Sequence, residues 1–263
     1  MLIFLKLGGS LITEKDKPGT PRLEVIQRLA AEIASAKSEQ PELQLVIGHG
    51  SGSFGHAAAT KYATAQGVST HRDWLGFADV WLQARRLNQL IIENLAQVGL
   101  PVIAFPPSAT VVANQSQVEV WDPALILQTL ASGLIPVVQG DVVFDRSLGG
   151  SILSTEAAFE YLALQLKPNR ILLAGLLPGV FSDFPQNLSL VGTLHAKDAE
   201  NLTSFVSGSA SVDVTGGMLE KVQSMLRLTR QDSELKISIF SGEEPGNLKS
   251  ALLGNYPGTL MCR

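Results

Sequence analysis

The sequence predicts an α/β fold, built around a mainly parallel sheet with helices on both faces. Three observations carry that reading. Short apolar runs alternate with longer segments of helical periodicity, the pattern of repeated strand–helix units. The runs 2–7, 43–47, 135–138 and 170–174 are apolar at nearly every position, as strands buried on both faces are. Glycine-rich turns at 8–10, 48–56 and 140–150 follow strand candidates. In such folds ligands sit beyond the carboxyl ends of the strands, so these turns could face one crevice.

The chain has 263 residues, 45% of them hydrophobic, and a mean hydropathy of +0.20, enough for a substantial core. That length suits one large domain or two fused lobes. The expected boundary is Lys167-Pro168-Asn169, giving lobes 1–167 and 168–263. The net charge of −4, without a basic block, argues against nucleic acid and acidic membrane surfaces. One cysteine, Cys262, excludes an intramolecular disulfide and a cysteine metal cage. Met1–Leu5 is too short for a signal peptide, and no apolar stretch approaches the ~20 residues of a membrane span. The expectation is a cytoplasmic protein.

The elements follow in order. Residues 2–7 form a strand ending in Gly8-Gly9-Ser10, and a polar loop runs from Leu11 to Gly19. Leu23, Ile26, Leu29, Ala30, Ile33 and Ala34 recur at helical spacing over 22–37. The strand 43–47 feeds the turn Gly48 to His56, and Ala57–Tyr62 reads as helix. Residues 73–99 form the longest amphipathic helix, with Leu75, Val80, Leu82, Leu87, Leu90, Ile91 and Leu95 as its stripe and Gly99 as its stop. A strand at 101–105 follows, then a helix from Asp122 to about Ala131 with Pro123 at its first position. Strands at 135–138 and 141–145 lead to the Leu148-Gly149-Gly150 turn and a helix over 154–166. After the strand 170–174 come a turn-rich stretch, a helix near 196–206 and a helix from Met218 to Thr229. A strand at 235–240, a short helix at 247–253 and an edge strand at 258–261 complete the chain.

The stretch 48–56 joins strand, glycine turn and helix. Glycines let a ligand approach the backbone, and a helix start offers unpaired N–H groups and a positive dipole end. A tight turn without ligand is the alternative; His56, one turn into the helix, adds a donor suited to phosphate. Lys6 lies late in an apolar strand, where a lysine is costly unless paired, facing a ligand, or reaching solvent from an edge. Lys15 sits in the next loop, a place that also suits a solvated lysine. Lys221 stands near the start of its expected helix, an end that disfavours a cation, so it calls for an anion, a carboxylate or a solvated face.

Three lysines, each beside glycines, suit phosphoryl transfer, which needs positive groups on the transferring oxygens and little covalent work. No Gly-x4-Gly-Lys-Ser/Thr motif or nucleophile elbow occurs, and His49, His71 and His195 have no metal spacing. A Mg²⁺ ion carried on nucleotide phosphates, without a protein metal cage, is the expectation.

Lys6-Leu7-Gly8-Gly9-Ser10, the 49–56 stretch His-Gly-Ser-Gly-Ser-Phe-Gly-His, Gly140-Asp141-Val142-Val143-Phe144-Asp145 and Asp213 to Met218 with Lys221 resemble, in order, the amino acid kinase superfamily. Within it the chain is similar to the isopentenyl phosphate kinases; the Gly-Ser-Phe-Gly-His ending is the most specific part. The resemblance implies an αβα sandwich, an acceptor-binding N-terminal lobe, a nucleotide-binding C-terminal lobe and a homodimer. It implies ATP-dependent phosphorylation of isopentenyl phosphate. Carried over, Lys6 contacts the transferring phosphoryl group and Lys15 supports the transition state. Gly8, Gly9 and Ser10 cradle ATP phosphates, while Gly50, Ser51 and Gly52 line the donor–acceptor junction. His56 holds the acceptor phosphate, and Gly216 and Lys221 belong to the nucleotide side.

Departures fall at Ser51, where the family commonly has Gly, and at Ser154-Thr155-Glu156, where it shows Ser-Gly-Asp. Thr155 adds bulk at an acceptor contact; Glu156 keeps the charge and can orient the lysines. At 175–181 both family aspartates are replaced, by Leu176 and Pro178, in the loop that frames the nucleotide. Trp74, Phe77, Ala78 and Trp81 are candidates for a wall around the acceptor's organic tail, with plain core packing as the alternative. A kinase for a phosphonate such as fosfomycin or for another small phosphomonoester, and a non-catalytic nucleotide- or anion-binding protein of the same fold, are the competing readings.

Overall fold

β1 (Leu2–Leu7) is a central strand of the main sheet, paired in parallel with β2 (Gln44–His49) on one side and β9 (Arg170–Gly175) on the other. The computed structural model describes residues 1–183, 186–200 and 212–263. Beyond β2 the sheet adds β6 (Ile135–Gln139) and then β3 (Val102–Ala104) at the edge, both parallel. Beyond β9 it adds β11 (Lys236–Ser241), parallel, then β12 (Thr259–Cys262), antiparallel to β11, and β10 (Thr193–His195) at the other edge. The main sheet is thus continuous across the 167–169 boundary.

Alternation along each strand builds two cores. Phe4 and Val46 point to one face, beneath α7 (Thr155–Leu166) and α8 (Val212–Gln231), with Phe159 and Met225. Ile3, Leu5, Leu45 and Ile47 point to the other, beneath α2 (Leu23–Glu39), α4 (His71–Gln97) and α9 (Asn247–Leu252). Each such fully buried side chain contributes about 1.5–3 kcal/mol. This is the expected αβα arrangement. The remaining helices are α1 (Gly9–Ile12), α3 (Gly52–Tyr62), α5 (Pro107–Thr110) and α6 (Ala124–Ala131). Among the described residues no helix is long and apolar enough to cross a membrane.

A second sheet, not expected from the sequence, has the order β5-β4-β7-β8, from β4 (Val112–Asn114), β5 (Gln117–Val120), β7 (Asp141–Asp145) and β8 (Gly149–Leu153). Asp145 organises it. Its carboxylate accepts from the backbone N–H of Gln115, Ser116, Ser147 and Leu148 and from the Ser151 hydroxyl. Those bonds hold Gln115 and Ser116 at φ 52° and 61°, a left-handed turn without glycine.

Other expectations need correction. The segment 258–261 is not an edge: β12 lies between β10 and β11. Pro123 is the cap of α6 and not its first residue. Leu75 and Leu82 are 56% and 40% exposed, so they leave the α4 stripe, which instead buries Phe77, Val80, Ala84, Leu87, Asn88, Ile91 and Leu95. A capping box between Thr70 and Asp73 starts that helix at His71. α8 begins at Val212, six residues before the expected start. Of the helix expected near 196–206, Ala196–Glu200 is a short 3-10 turn and 201–206 lies outside the described residues.

Candidate active site

Five parallel strands, β11, β9, β1, β2 and β6, end at a glycine, and four backbone bonds tie each end to its neighbour. Gly242 N donates to Gly175 O at 2.8 Å, Gly8 N to Ala174 O at 2.8 Å, Gly50 N to Leu7 O at 3.1 Å, and Gly140 N to His49 O at 3.0 Å. The strand ends are therefore bridged by continuous backbone. Gly9 packs directly on the start of α3: a Cβ there would lie 2.6 Å from Gly52 N. A Cβ on Gly50 would lie 3.0 Å from Gly9 N, so a side chain is excluded at Gly9 and would crowd the contact from Gly50. Gly52 also needs its positive φ of 49°, and Thr13 Oγ1 accepts from Ser53 N at 3.0 Å, fastening the two turns. Among the described residues Gly9, Ser10, Ser51 and Gly52 use none of their N–H groups on an internal acceptor, leaving four donors at adjoining helix starts.

On the α7 and α8 side of the sheet, Lys6 and Lys221 meet at Glu156. Lys6 Nζ bonds Glu156 Oε1, and Lys221 Nζ lies 3.1 Å from the same oxygen. Burial pushes the Glu156 carboxyl up, but Lys6 and then Lys221 outweigh it and hold it at about 2. Burial lowers the Lys6 ammonium from its ordinary value; Glu156 opposes that and Lys221 adds to it. The expected carboxylate partner of Lys221 is thus Glu156, although Lys221 lies in the interior of α8 and not in its first turn. Ser154 caps α7 by accepting from Ala157 N at 3.0 Å, which places Glu156 in the first helical turn, where the dipole favours a carboxylate.

Thr155 is fully buried, and its hydroxyl donates to His49 O at 2.7 Å, so it offers no side chain to a ligand. His56 is exposed on the second turn of α3. Lys15 is exposed in the loop 14–20, which closes on itself through Glu14 N to Thr20 O at 3.0 Å and docks on α3 through Gly19 N to Ser53 O at 3.3 Å. Among the described residues, neither forms an ion pair or hydrogen bond with Lys6, Glu156 or Lys221. Gly216 lies in the backbone of α8, five positions before Lys221.

Beside α3, Trp74, Phe77 and Phe144 form an aromatic cluster with ring centroids 5.3–5.9 Å apart. Phe77 is buried with Ala58, Val68, Val80 and Val142, while Trp74 and Phe144 are 36% and 54% exposed. The sequence reading includes Phe144 only within the 140–145 motif and gives it no role; an aromatic as the fourth residue of a five-residue strand, next to Asp145, was the available signal.

The sequence profile described as the Amino acid kinase family matches residues 1–241. The chain belongs to the amino acid kinase family. Its relatives of similar length include the isopentenyl phosphate kinase of Methanocaldococcus jannaschii, 32% identical over 98% of each chain. That of Methanothermobacter thermautotrophicus is 34% identical over 96% of each. A solved isopentenyl phosphate kinase structure superposes with a TM-score of 0.84 at 30% identity, covering 99% of this chain and 100% of the other. In the loop 175–181 of this amino acid kinase, Leu176 and Pro178 are both exposed. There the backbone is held without carboxylates. Ser241 Oγ donates to Leu176 O at 3.1 Å, and Val180 N donates to Thr259 Oγ1 at 2.8 Å. No group of three or more His, Cys, Asp or Glu among the described residues is placed to hold a metal ion.

Proposed function

We propose that this kinase transfers the γ-phosphoryl group of ATP to isopentenyl phosphate, forming isopentenyl diphosphate and ADP. The observation that carries the reading is the convergence of Lys6 and Lys221 on Glu156, with Lys6 two residues before the Gly8-Gly9 turn. An acceptor phosphate oxygen attacks the γ-phosphorus as the bond to the β–γ bridging oxygen breaks. The acceptor is already an anion, so the step needs no strong base. It needs two polyanions brought together in line, which free helix-start amides and fixed lysines do.

In this reading Gly8, Gly9 and Ser10 hold the ATP phosphates, and Gly50, Ser51 and Gly52 the junction with the acceptor. Lys6 takes the transferring group, Lys15 closes over it, and His56 recognises the acceptor phosphate. Gly216 and Lys221 serve the nucleotide. Residues 1–167 form the acceptor lobe and 168–263 the nucleotide lobe. Glu156 is engaged by two lysines, so its donor set fits a Mg²⁺ ion that arrives on the nucleotide phosphates, where it would neutralise charge. The half-exposed Trp74 and Phe144 support a hydrocarbon tail on the acceptor over a small polar phosphonate.

Phosphorus NMR of the purified protein with ATP, Mg²⁺ and isopentenyl phosphate should show diphosphate appearing as ATP is consumed. No diphosphate at any acceptor concentration rejects the reading; a higher kcat/KM for fosfomycin in the same panel replaces the acceptor. The homodimer belongs to this proposal, and a monomer at all concentrations in sedimentation velocity removes it.

A further inference from the structure

His49 and Asn88 form a buried polar pair on the side of the sheet opposite Lys6. His49 is 0% exposed; Nε2 lies 3.0 Å from Asn88 Nδ2, and Nδ1 lies 3.1 Å from Gly50 O. An amide nitrogen only donates, so Nε2 is the acceptor and the ring proton sits on Nδ1, which donates to Gly50 O. Burial holds the imidazole neutral, with its pKa lowered to about 4; the Gly50 carbonyl opposes that shift and Lys6 adds to it. Asn88 thus selects the tautomer, and the tautomer holds one carbonyl.

We propose that His49, set by Asn88, is a positioning residue that clamps the Gly50–Ser51 peptide so that the Ser51 N–H faces the acceptor phosphate. The claim rests on the phosphate acceptor proposed above. A trans peptide is planar, with C=O and N–H opposed, so drawing Gly50 O inward turns Ser51 N–H outward. The neighbouring carbonyl is drawn in as well: His49 O accepts from Gly140 N at 3.0 Å and from Thr155 Oγ1 at 2.7 Å. Ser51 N meets no acceptor among the described residues, and a Cβ on Gly140 would come 3.7 Å from it. A clamp has work to do here because glycine at 50 leaves this peptide free to flip. Flipped, it would present a carbonyl oxygen to an anion.

The test compares His49→Asn with His49→Gln. The Asn amide nitrogen reaches the place of Nδ1 and can still donate to Gly50 O; the Gln amide reaches the place of Nε2 and cannot. For His49→Gln, KM for isopentenyl phosphate should rise about tenfold or more with KM for ATP within about twofold, while His49→Asn stays within about threefold of wild type in both. Equal losses in the two variants, parallel rises in both KM values, or an unchanged acceptor KM in His49→Gln overturns the proposal. Circular dichroism and thermal midpoints establish that each variant is folded. Should either fail to fold, Asn88→Leu replaces it: a selective rise in acceptor KM supports the clamp, and an unchanged one overturns it. If wild type does not phosphorylate isopentenyl phosphate, the proposed function fails separately. The same variants are then ranked by inorganic phosphate binding, in phosphorus NMR line widths, with weaker binding expected for His49→Gln alone and equal binding overturning the clamp.

Discussion

Lys6 and Lys221 meet on a single oxygen, Oε1 of Glu156. One carboxylate thereby brings β1 and α8 together and keeps two like charges side by side. Glu156→Gln removes the charge but keeps the shape, leaving two ammonium groups to repel each other. We expect kcat to fall about a hundredfold, through displaced lysines, and stability to drop by about 3 kcal/mol because a partly buried charge pair has lost its partner. Steady-state kinetics and urea unfolding check both; unchanged turnover would remove Glu156 from the orienting role.

The same carboxylate makes stability pH-dependent. Its pKa is about 2 in the folded chain against an ordinary 4.5. The folded value is the lower one, so the stabilisation is fully present above pH 4.5 and is lost as pH falls toward 2. The difference corresponds to about 3 kcal/mol. Urea midpoints measured between pH 6 and 2 should fall more steeply in wild type than in Glu156→Gln.

His56→Ala should raise the KM for isopentenyl phosphate about 10- to 100-fold and leave the KM for ATP within about twofold. The side chain is exposed, so the thermal midpoint should not move. Equal losses for both substrates would place His56 outside acceptor recognition.

Phe144→Ala separates tail from head. The ring is half exposed, so its loss should change stability by less than about 0.5 kcal/mol. The KM for isopentenyl phosphate should rise about 5- to 20-fold, and that for methyl phosphate should not change. A similar rise for both acceptors contradicts a tail contact.

Gly52→Ala tests the joint between the two turns. Its Cβ would lie 2.3 Å from Thr13 Oγ1 and 2.8 Å from Gly9 O, at a φ that side chains rarely adopt. We expect a loss of about 2–3 kcal/mol in urea unfolding, with activity falling alongside. A fully stable variant would show that the contact relaxes.

The parallel centre of the fold was legible because β1, β2, β6 and β9 are apolar at nearly every position, a signal that needs no context. The second sheet was not. Its strands are three to five residues long, and its tightest turn runs Asn114-Gln115-Ser116-Gln117 without glycine, held by the distant Asp145. The place of β12 between β10 and β11 was hidden too, since order along the chain does not reveal insertion into a sheet. At the site, Lys6 and the glycine turns could be read from local pattern, and Glu156 from the family resemblance alone. The pairing of Lys6 with Lys221 depends on two elements far apart in sequence. Asn88 did leave a trace: a polar residue between Leu87 and Ile91, in the stripe that faces the core.

The contact of Gly9 with Gly50 and Gly52 has a consequence for how the proposed reaction would choose its substrates. Two loops that touch through bare main chain cannot be drawn apart or pressed closer without breaking the sheet beneath them. The spacing between donor and acceptor seats is then a fixed gauge, set when the chain folds and not when ligands arrive. Discrimination among acceptors would then fall to the aromatic rings beside α3, where a change of side chain alters the permitted length and leaves the gauge untouched.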